Sequence, residues 1–194
     1  MDKKNVIEFF DRLAHEWDAD MVRDSAVIGE ILDAAQIAEG IRVLDVACGT
    51  GVLIPDYLAR NVRAVVGVDI SPEMIRIAQA KFVDPRVSFI NADIEALCLP
   101  ETFDRCMVYN AFPHFPDPRR LIRGLASHLA PGGRLTVAHG MSRAAINRHH
   151  SGGAAGVSRE LESEKEIAAL FEPFFAVDTA VSDEKKYLIS GVKR

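Results

Sequence analysis

The segment Ile41–Asn61, IRVLDVACGTGVLIPDYLARN, constrains the fold of this chain more than any other segment. It is typical of a buried strand that is followed by a glycine-containing turn and a helix. Small residues at Ala47, Gly49 and Gly51 allow a sharp backbone turn and leave amide groups open to a ligand at the start of the helix. The sequence therefore predicts a ligand-binding loop at the carboxyl end of a strand.

Strands and helices alternate after this segment. Apolar runs predict further buried strands at AVVGVDI, RVSFINA, FDRCMVYN and RLTVAHG, and the tail contains two strands joined by the polar residues 183–186. The alternation predicts an α/β fold with a Rossmann-like, doubly wound, seven-stranded sheet. We expect this sheet to be mostly parallel, with an antiparallel hairpin at its C-terminal edge.

Helices are predicted from hydrophobic spacing and from start signals. Apolar residues at helical spacing indicate helices over 3–17 and 22–38, which we expect to form an N-terminal lid. A third helix is expected over 51–60. Ser71 and Asp117 each precede a proline, a pattern that is typical of a helix N-terminus.

Composition narrows the class of protein. The 48% of hydrophobic residues predicts a globular domain with a sizeable core, and the net charge of −5 disfavours a general nucleic-acid or anionic-membrane surface. The N-terminus is interrupted by charges every few residues, so we expect neither a signal peptide nor a transmembrane helix. Because Cys48, Cys98 and Cys106 lack CxxC spacing, we expect reduced thiols in apolar segments and a cytoplasmic protein.

Three aspartates are predicted at the carboxyl ends of successive strands. Asp45 lies beside the glycine turn, where a carboxylate repels phosphate and attracts ammonium, which favours a ligand with an amino-acid end. Asp69 ends the second strand, twenty positions after Gly49, and is placed to bind both hydroxyls of a ribose. Asp93, after the third strand, is placed to accept a hydrogen bond from an exocyclic amine such as that of adenine.

Apolar residues near these aspartates are suited to enclose an adenine ring. Ile70, Met74 and Ile94 would form the walls of such a slot. Asn110 follows the fourth strand and points toward the centre of the same edge. A dinucleotide fingerprint would require a third glycine where Ile54 stands, so the pattern weakens an interpretation as an NAD(P) site.

The order and spacing of VLDVACGTG, GVDIS and LAPGGRL resemble a class I S-adenosylmethionine-dependent methyltransferase, of the small ubiquinone/menaquinone-biosynthesis-like or methyltransferase domain 11 type. The similarity covers about residues 40–140, and FFDRLAHEWD resembles the N-terminal arm of that family. The resemblance implies that Asp45, Gly49 and Gly51 hold the methionine end of S-adenosylmethionine. It also implies that Asp69 binds the ribose.

The remaining cofactor contacts are also carried over from the resemblance. It implies that Asp93 and Ile94 bind adenine and that Trp17 closes over the cofactor. The full predicted cofactor-binding set is Trp17, Asp45, Ala47, Gly49, Thr50, Gly51, Asp69, Ile70, Met74, Asp93, Ile94 and Asn110.

Histidines provide the candidates for chemistry beyond the cofactor. His114 follows the fourth strand, His139 ends the fifth, and His149 and His150 lead into a loop, so all four are predicted at the substrate edge. A general base, which typically contributes about 10²–10⁴-fold, and a metal or metalloid ligand are both open roles. No carboxylate pair accompanies them at ligand spacing, so we predict no metal site. His114 is the first candidate for the base and His139 the second.

Other side chains suggest how an acceptor would be held. Arg143 and Arg148 are candidates to bind a substrate carboxylate or phosphate, although solvated arginines are the default. Aromatic residues are candidates to line an apolar chamber, namely Phe9, Phe10, Trp17, Phe112 and Phe115.

We expect one methyltransferase domain, with an N-terminal helical arm or lid (1–39), a cofactor-binding core (40–140), a mobile loop or helix (141–165) and a C-terminal hairpin (166–194). The expected reaction is in-line transfer of a methyl group from S-adenosylmethionine to an O, N, S or C nucleophile, with S-adenosylhomocysteine as product. An NAD(P)-binding oxidoreductase and a non-catalytic S-adenosylmethionine-binding module are the alternatives.

The expected partner is a small-molecule acceptor. Nucleic-acid methylation is disfavoured because Asn110 is followed by Ala-Phe-Pro rather than by the Pro-Pro-aromatic run of enzymes that act on bases. We expect no nucleic-acid partner and no stable membrane association. Both a monomer and a homodimer are compatible with the sequence.

Overall fold

The computed structural model describes residues 1–19, 21–152, 154 and 156–194. The described part contains seven strands: β1 (Arg42–Val46), β2 (Ala64–Asp69), β3 (Val87–Asn91), β4 (Phe103–Tyr109), β5 (Leu129–His139), β6 (Phe175–Ser182) and β7 (Tyr187–Lys193). It also contains seven α-helices: α1 (Lys3–Leu13), α2 (Ser25–Ala34), α3 (Ile54–Ala59), α4 (Pro72–Lys81), α5 (Pro118–His128), α6 (Arg143–His150) and α7 (Glu164–Phe171). A short 3-10 helix, Phe112–His114, follows β4.

The strands form one sheet in the order β3-β2-β1-β4-β5-β7-β6. The pairs β1–β2, β1–β4, β2–β3 and β4–β5 are parallel, whereas β7 runs antiparallel to both β5 and β6. The strand order reverses between β1 and β4, which opens a crevice beyond their carboxyl ends. The predicted mostly parallel, seven-stranded sheet with an antiparallel C-terminal hairpin is confirmed.

Both faces of the sheet are covered by helices. Leu44 and Val46 of β1 lie in a buried cluster with residues of α5 and α7, and Val43 lies in a second cluster with residues of α2 and α3. Successive side chains of a strand point to opposite faces, so a strand covered on both sides needs a continuous apolar run. This requirement explains the apolar sequence of β1.

Helix starts follow the predicted signals. The Ser71 hydroxyl accepts a hydrogen bond from the backbone N–H of Met74 at 3.1 Å, and Asp117 accepts one from the N–H of Arg120 at 3.0 Å. In each case proline occupies the first turn, where its missing N–H leaves no helical bond unmade. These caps fix where α4 and α5 leave the carboxyl edge of the sheet.

The N-terminal helices are shorter than predicted. We expected the first helix to cover 3–17, but α1 ends at Leu13 and the chain continues in turns to Ala19. The Asp18 carboxylate accepts a hydrogen bond from the Thr50 hydroxyl at 2.5 Å, and Lys81 lies 2.6 Å from its other oxygen. These tertiary contacts hold the end of the arm against the glycine loop in place of further helical turns.

The segment predicted as a mobile loop or helix over 141–165 begins with α6, which contains His149 and His150. Gly153 and Ala155, at the centre of the predicted mobile loop, lie outside the described residues.

The prediction that Cys98 is a core thiol is wrong: Cys98 is exposed, whereas Cys48 and Cys106 are buried. Its segment leaves β3 for a surface connection, so its apolar neighbours do not enclose it.

A buried arginine anchors the C-terminal hairpin. Arg134 in β5 is only 2% exposed, and its guanidinium donates two hydrogen bonds to the Asp178 carboxylate, at 2.7 and 2.6 Å. It donates a third to the Ser190 hydroxyl at 2.9 Å. These bonds therefore link β5 to both strands of the hairpin.

In the described part of the chain, no helix is long and apolar enough to cross a membrane.

Replacing Gly67 by alanine should destabilise the fold. A Cβ at this position of β2 would lie 2.8 Å from a ring carbon of Phe89 and 2.9 Å from the sulfur of Cys48. Such overpacking should lower the free energy of unfolding by about 1–3 kcal/mol, which chemical denaturation measures.

The matched control is Gly124→Ala in α5, where an added Cβ meets nothing within 4 Å. Alanine is the better helix former, so this variant should be unchanged or gain up to about 1 kcal/mol. Wild-type stability in Gly67→Ala would contradict the tight packing of β2 against β3.

Candidate functional site

The glycine loop follows β1 at the point where the strand order reverses. Ala47, Gly49 and Gly51 all have positive φ, at 55°, 55° and 86°. A Cβ on Gly51 would lie 2.6 Å from a ring carbon of Phe82, so this position requires glycine both for its backbone and for its space. Ala47 adopts the same left-handed conformation although it has a Cβ, so its backbone is strained. Such strain is typical of backbone held at a functional site.

Asp69 connects this loop to the end of β2. Its carboxylate accepts hydrogen bonds from the N–H of Gly49 at 2.8 Å and from the N–H of Ser71 at 2.9 Å. Burial raises its pKa, and the two backbone hydrogen bonds partly oppose that rise. The amide of Gly49 is therefore not open, as the sequence suggested, but is already bound within the protein.

Asp45 is fully enclosed behind the loop. Burial raises the pKa of Asp45 to about 8, the Tyr57 hydroxyl partly opposes the rise, and the charge of Asp69 adds to it. Its Oδ2 atom has no hydrogen-bond partner in the described part of the chain. The raised pKa favours the neutral acid, so Asp45 repels phosphate and attracts ammonium less strongly than a solvated aspartate would.

The N-terminal arm, residues 1–19, covers the glycine loop. Trp17 lies directly on it, since a Cβ on Gly49 would be 3.8 Å from Nε1 of Trp17. The rings of Phe10 and Trp17 meet edge to face, with centroids 5.6 Å apart. Asp11 accepts a hydrogen bond from the Ser71 hydroxyl at 2.5 Å, which ties α1 to the start of α4. The arm thus occupies the surface where the sequence predicted the methionine end of a cofactor.

The predicted adenine residues lie under and beside the same arm. Asp93 forms an ion pair with Lys3, whose Nζ is 2.5 Å from Asp93 and 2.9 Å from Glu95. Ile70 packs against the small apolar cluster beneath α1, and Ile94 is buried in the main core. Asp93 is therefore already paired in this structure.

Two further predicted residues border the crevice. The sulfur of Met74 would lie 3.9 Å from a Cβ on Gly49, so Met74 flanks the loop on the α4 side. Asn110 has φ of 54°, and its side-chain oxygen accepts a hydrogen bond from the N–H of Gly140 at 3.0 Å. Asn110 thereby joins the carboxyl ends of β4 and β5.

Three of the four predicted histidines converge beside the arm. The ring of His114 lies 4.9 Å from that of Phe10 and 5.0 Å from that of His150, centroid to centroid. His139 is buried at the end of β5, where its ring contacts Tyr187. His149 is exposed, and its ring lies 5.7 Å from that of His150.

The converging histidines are neutral at physiological pH. Burial, together with the neighbouring His150, His114 and Arg159, lowers the pKa of His139 to about 3. Burial also lowers the pKa of His114. Nδ1 of His114 lies 2.9 Å from the carbonyl oxygen of Val157, which as an acceptor fixes the proton on Nδ1 and leaves Nε2 as a free acceptor. The neutral imidazoles can accept protons, but the strongly lowered pKa makes His139 a weak base, which favours His114.

Sequence reasoning missed the polar contacts of the arm and one arginine. Lys3, Asp11 and Asp18 pair with residues of the strand ends, and Arg159 lies among the histidines. Arg159 has two partners close in sequence, the carbonyl oxygen of Glu160 and the carboxylate of Glu162. The fold brings in the other partners of these residues from distant parts of the chain, so no local motif marks them. In the described residues, no group of three or more His, Cys, Asp or Glu side chains is placed to hold a metal ion.

Comparison with known proteins identifies the same core. Residues 43–133 match the family described as "Methyltransferase domain". The chain is similar to the ubiquinone biosynthesis O-methyltransferase of Paracidovorax citrulli, with 31% identity over 136 residues, which cover 64% of this chain and 56% of that protein. The chain thus spans little more than half the length of this relative.

Solved structures show the same fold over nearly the whole chain. One is the complex between the Haloferax volcanii Trm112 methyltransferase activator and the putative methyltransferase, with a TM-score of 0.80, 20% identity and 97% coverage of both chains. Another is the N-methyltransferase NodS from Bradyrhizobium japonicum WM9 in complex with S-adenosyl-L-homocysteine, with a TM-score of 0.73, 16% identity, and coverage of 97% of this chain and 98% of NodS.

The strand order, the glycine loop with Asp69 beside it, and the matched segment lead to one assignment. Residues 43–133 form a methyltransferase domain, and the chain has the fold of class I S-adenosylmethionine-dependent methyltransferases.

Proposed function

We propose that this protein transfers a methyl group from S-adenosylmethionine to a small-molecule acceptor. The observation that carries the proposal is the hydrogen bond between Asp69 and the N–H of Gly49, which sets a carboxylate beside a left-handed glycine loop at the switch point of the sheet. Ligands of open α/β sheets bind at this position. The matched methyltransferase segment includes both residues.

The cofactor would extend along the carboxyl ends of β1, β2 and β3. Its ribose hydroxyls would bind Asp69, its adenine would lie near Asp93, and its methionine end would lie on the glycine loop. An ammonium group near Asp45 would favour the ionised acid and lower its raised pKa. The full proposed set is Trp17, Asp45, Ala47, Gly49, Thr50, Gly51, Asp69, Ile70, Met74, Asp93, Ile94 and Asn110.

Binding requires the arm to move. Trp17 contacts the loop that the methionine end would cover, and Lys3 occupies the carboxylate that the adenine amine would use. Val6 of the arm lies in a small apolar cluster that is separate from the two large clusters on the sheet faces, so movement of the arm leaves those two clusters in place. We propose that the arm then closes over the bound cofactor.

The chemical step is an in-line displacement. A lone pair of the acceptor forms a bond to the methyl carbon as the carbon–sulfur bond breaks, and its electrons return to sulfur to give the neutral thioether S-adenosylhomocysteine. The acceptor releases its proton to a base. Because the sulfonium is already reactive, alignment and exclusion of water would supply most of the acceleration, up to about 7–11 kcal/mol.

A histidine is proposed as the base. Nε2 of His114 is left free by the Nδ1 contact to Val157, and Nε2 of His139 has no hydrogen-bond partner among the described residues. Both imidazoles are neutral; that of His114 contacts Phe10 of the arm, whereas that of His139 is buried against Tyr187. His114 remains the first candidate and His139 the second.

We further propose that the acceptor is not a nucleic acid and that the protein acts in the cytoplasm, as a monomer or homodimer. The acidic net charge of −5 and the three free cysteines support this assignment.

Asp69→Asn should weaken cofactor binding at least about tenfold. The amide cannot accept both the backbone bonds and a ribose hydroxyl, and a hydrogen bond to a charged group contributes about 1.5–3 kcal/mol. Calorimetric titration with S-adenosylmethionine and S-adenosylhomocysteine measures the change. The matched control is Glu184→Gln in the exposed hairpin turn, which should bind as wild type does.

Two outcomes would contradict the proposal. Equal affinity in Asp69→Asn would remove Asp69 from the ribose site. If wild type binds NAD(P)H but binds neither S-adenosylmethionine nor S-adenosylhomocysteine, the protein is an oxidoreductase rather than a methyltransferase.

Lys3→Gln should strengthen cofactor binding by up to about fivefold. The substitution frees Asp93, and a partly exposed ion pair contributes about 1 kcal/mol or less. Lys4→Gln is the matched control, because Lys4 lies one position away and, among the residues that the structure describes, pairs only with the exposed Glu8 at 3.7 Å. Weaker binding in Lys3→Gln, measured by the same titration, would show that Lys3 supports the site rather than competes for it.

His114→Gln should lower kcat by about 10²–10⁴-fold while the cofactor Kd stays unchanged, as expected for loss of a general base. Turnover is followed as S-adenosylhomocysteine production with the first acceptor that a screen detects. His149→Gln on the exposed side of α6 is the control and should retain activity. If His114→Gln turns over normally and His139→Gln does not, the role passes to His139; normal turnover in both excludes a histidine base.

A further inference from the structure

A cleft of about 380 Å³ opens between α6 and the segment that precedes α7. It lies next to His114, because His150, which lines the cleft, contacts the ring of His114. Its volume falls in the range of small-molecule sites. The lining residues are Asn147, His150, Ser151, Ser158, Arg159 and Glu160.

Arg159 is held rigidly at the inner side of this cleft. Its Nε donates to the carbonyl oxygen of Phe115 at 2.9 Å, and its backbone N–H donates to that of Pro113 at 2.9 Å. Its guanidinium also lies over the ring of Phe112, 5.0 Å from the centroid. Three contacts to the segment after β4 thus fix the orientation of the guanidinium.

One edge of the guanidinium is satisfied and the other is not. Nη1 donates to the carbonyl oxygen of Glu160 at 3.1 Å and pairs with the carboxylate of Glu162. Nη2 is buried and has no hydrogen-bond partner in the described part of the chain. A buried donor without a partner typically costs about 1–3 kcal/mol, so the fold holds this edge at a cost that a ligand would remove.

Two histidine nitrogens share this condition. Nδ1 of His150 and Nε2 of His139 are both buried and both lack a partner among the described residues. The ring of His150 lies 5.0 Å from that of His114, and protonation of His114 would lower the pKa of both His150 and His139. Together with Arg159, three side chains from β5, α6 and the following segment present unused polar atoms to one region.

This region is connected to the glycine loop by aromatic rings. His150 contacts His114, His114 contacts Phe10, and Phe10 contacts Trp17, with centroid distances of 5.0, 4.9 and 5.6 Å. Trp17 lies on Gly49. A molecule with an apolar body packed along the rings of His114 and Phe10 would therefore reach from the cleft toward the cofactor loop.

The free edge of Arg159 determines what binds there. A guanidinium can only donate hydrogen bonds, so the ligand must present an acceptor, and a carboxylate forms the strongest and most directional bonds to it. Glu162 occupies only Nη1, and the Glu160 side chain is directed to the amide of Asn147 at 3.4 Å. Neither carboxylate therefore occupies Nη2.

We propose that the acceptor of this enzyme is a small apolar molecule that carries a carboxylate, and that Nη2 of Arg159 and the imidazole of His150 bind this carboxylate. The identification of the ligand as the acceptor rests on the proposed methyl transfer, whereas the carboxylate site does not. Arg143 and Arg148, the arginines suggested by the sequence, are not the anchor: Arg148 is exposed, and Arg143 is directed to the carbonyl oxygen of Leu161.

Binding of phenylacetate and of the uncharged isostere phenylacetamide to the full chain tests the site without cofactor. Ligand-observed NMR gives both affinities, and histidine imidazole resonances report the location. Wild type should bind phenylacetate at least about tenfold more tightly than phenylacetamide. Arg159→Gln should reduce this ratio to about one, and the matched control Arg148→Gln should keep it.

Because Arg159→Gln also removes contacts to the segment after β4, folding of each variant is checked by thermal denaturation. His150→Leu, which removes only the imidazole, should also lower the ratio of phenylacetate to phenylacetamide affinity. If Arg159→Gln does not fold, this variant tests the carboxylate site in its place. Equal binding of the two probes to wild type, no binding of phenylacetate at millimolar concentration, or a ratio that survives in both variants would overturn the proposal.

The two proposals fail separately. A preserved phenylacetate preference without binding of S-adenosylmethionine would remove methyl transfer and leave the carboxylate site. Cofactor binding without any preference for the carboxylate would do the reverse.

Discussion

The carboxylate of Asp69 holds the glycine loop against the start of α4, and the candidate cofactor site is built on this connection. It bonds to the amide of Gly49 in the loop after β1 and to the amide of Ser71 at the start of α4. Two connections that leave neighbouring strands are thereby fixed relative to each other. They lie beside the crevice that opens where the strand order reverses between β1 and β4. The crevice forms because the connections that follow these two strands lead in opposite directions along the sheet.

The arm that covers this crevice is bound differently from the core. Its polar contacts, such as those of Lys3 and Asp18, involve partly exposed side chains, and each such ion pair contributes about 1 kcal/mol or less. Val6 lies in a small apolar cluster apart from the two large clusters on the sheet faces, and Phe10 and Trp17 add aromatic contacts to His114 and to the glycine loop. A ligand that binds the glycine loop can therefore displace the arm at modest cost and leave the sheet unchanged.

The sequence predicted the sheet, the loop and the caps because these are set by local patterns. The apolar run of β1, the small residues at Gly49 and Gly51, and the Ser71 cap each act over a few residues. The end of α1 could not be predicted, because Asp18 is held by Thr50, 32 positions away.

The same reason explains what was missed at the candidate site. Lys3 pairs with Asp93, which is 90 positions away, and neither residue carries a local signal for the other. Arg159 contacts the carbonyl oxygen of Phe115, 44 positions away, in a segment whose composition indicates only a loop. Convergence of His114, His139 and His150 was predictable, because the topology brings the ends of β4 and β5 to one edge.

The central claim is that cofactor binding replaces the contact between Trp17 and the glycine loop. Trp17 is the one tryptophan of the chain, so its fluorescence reports this contact without labelling. Titration with S-adenosylhomocysteine should give a saturable change in Trp17 emission, with the same midpoint as the heat of binding. Saturable heat with unchanged emission would contradict movement of the arm, and absence of both signals would contradict the cofactor site itself.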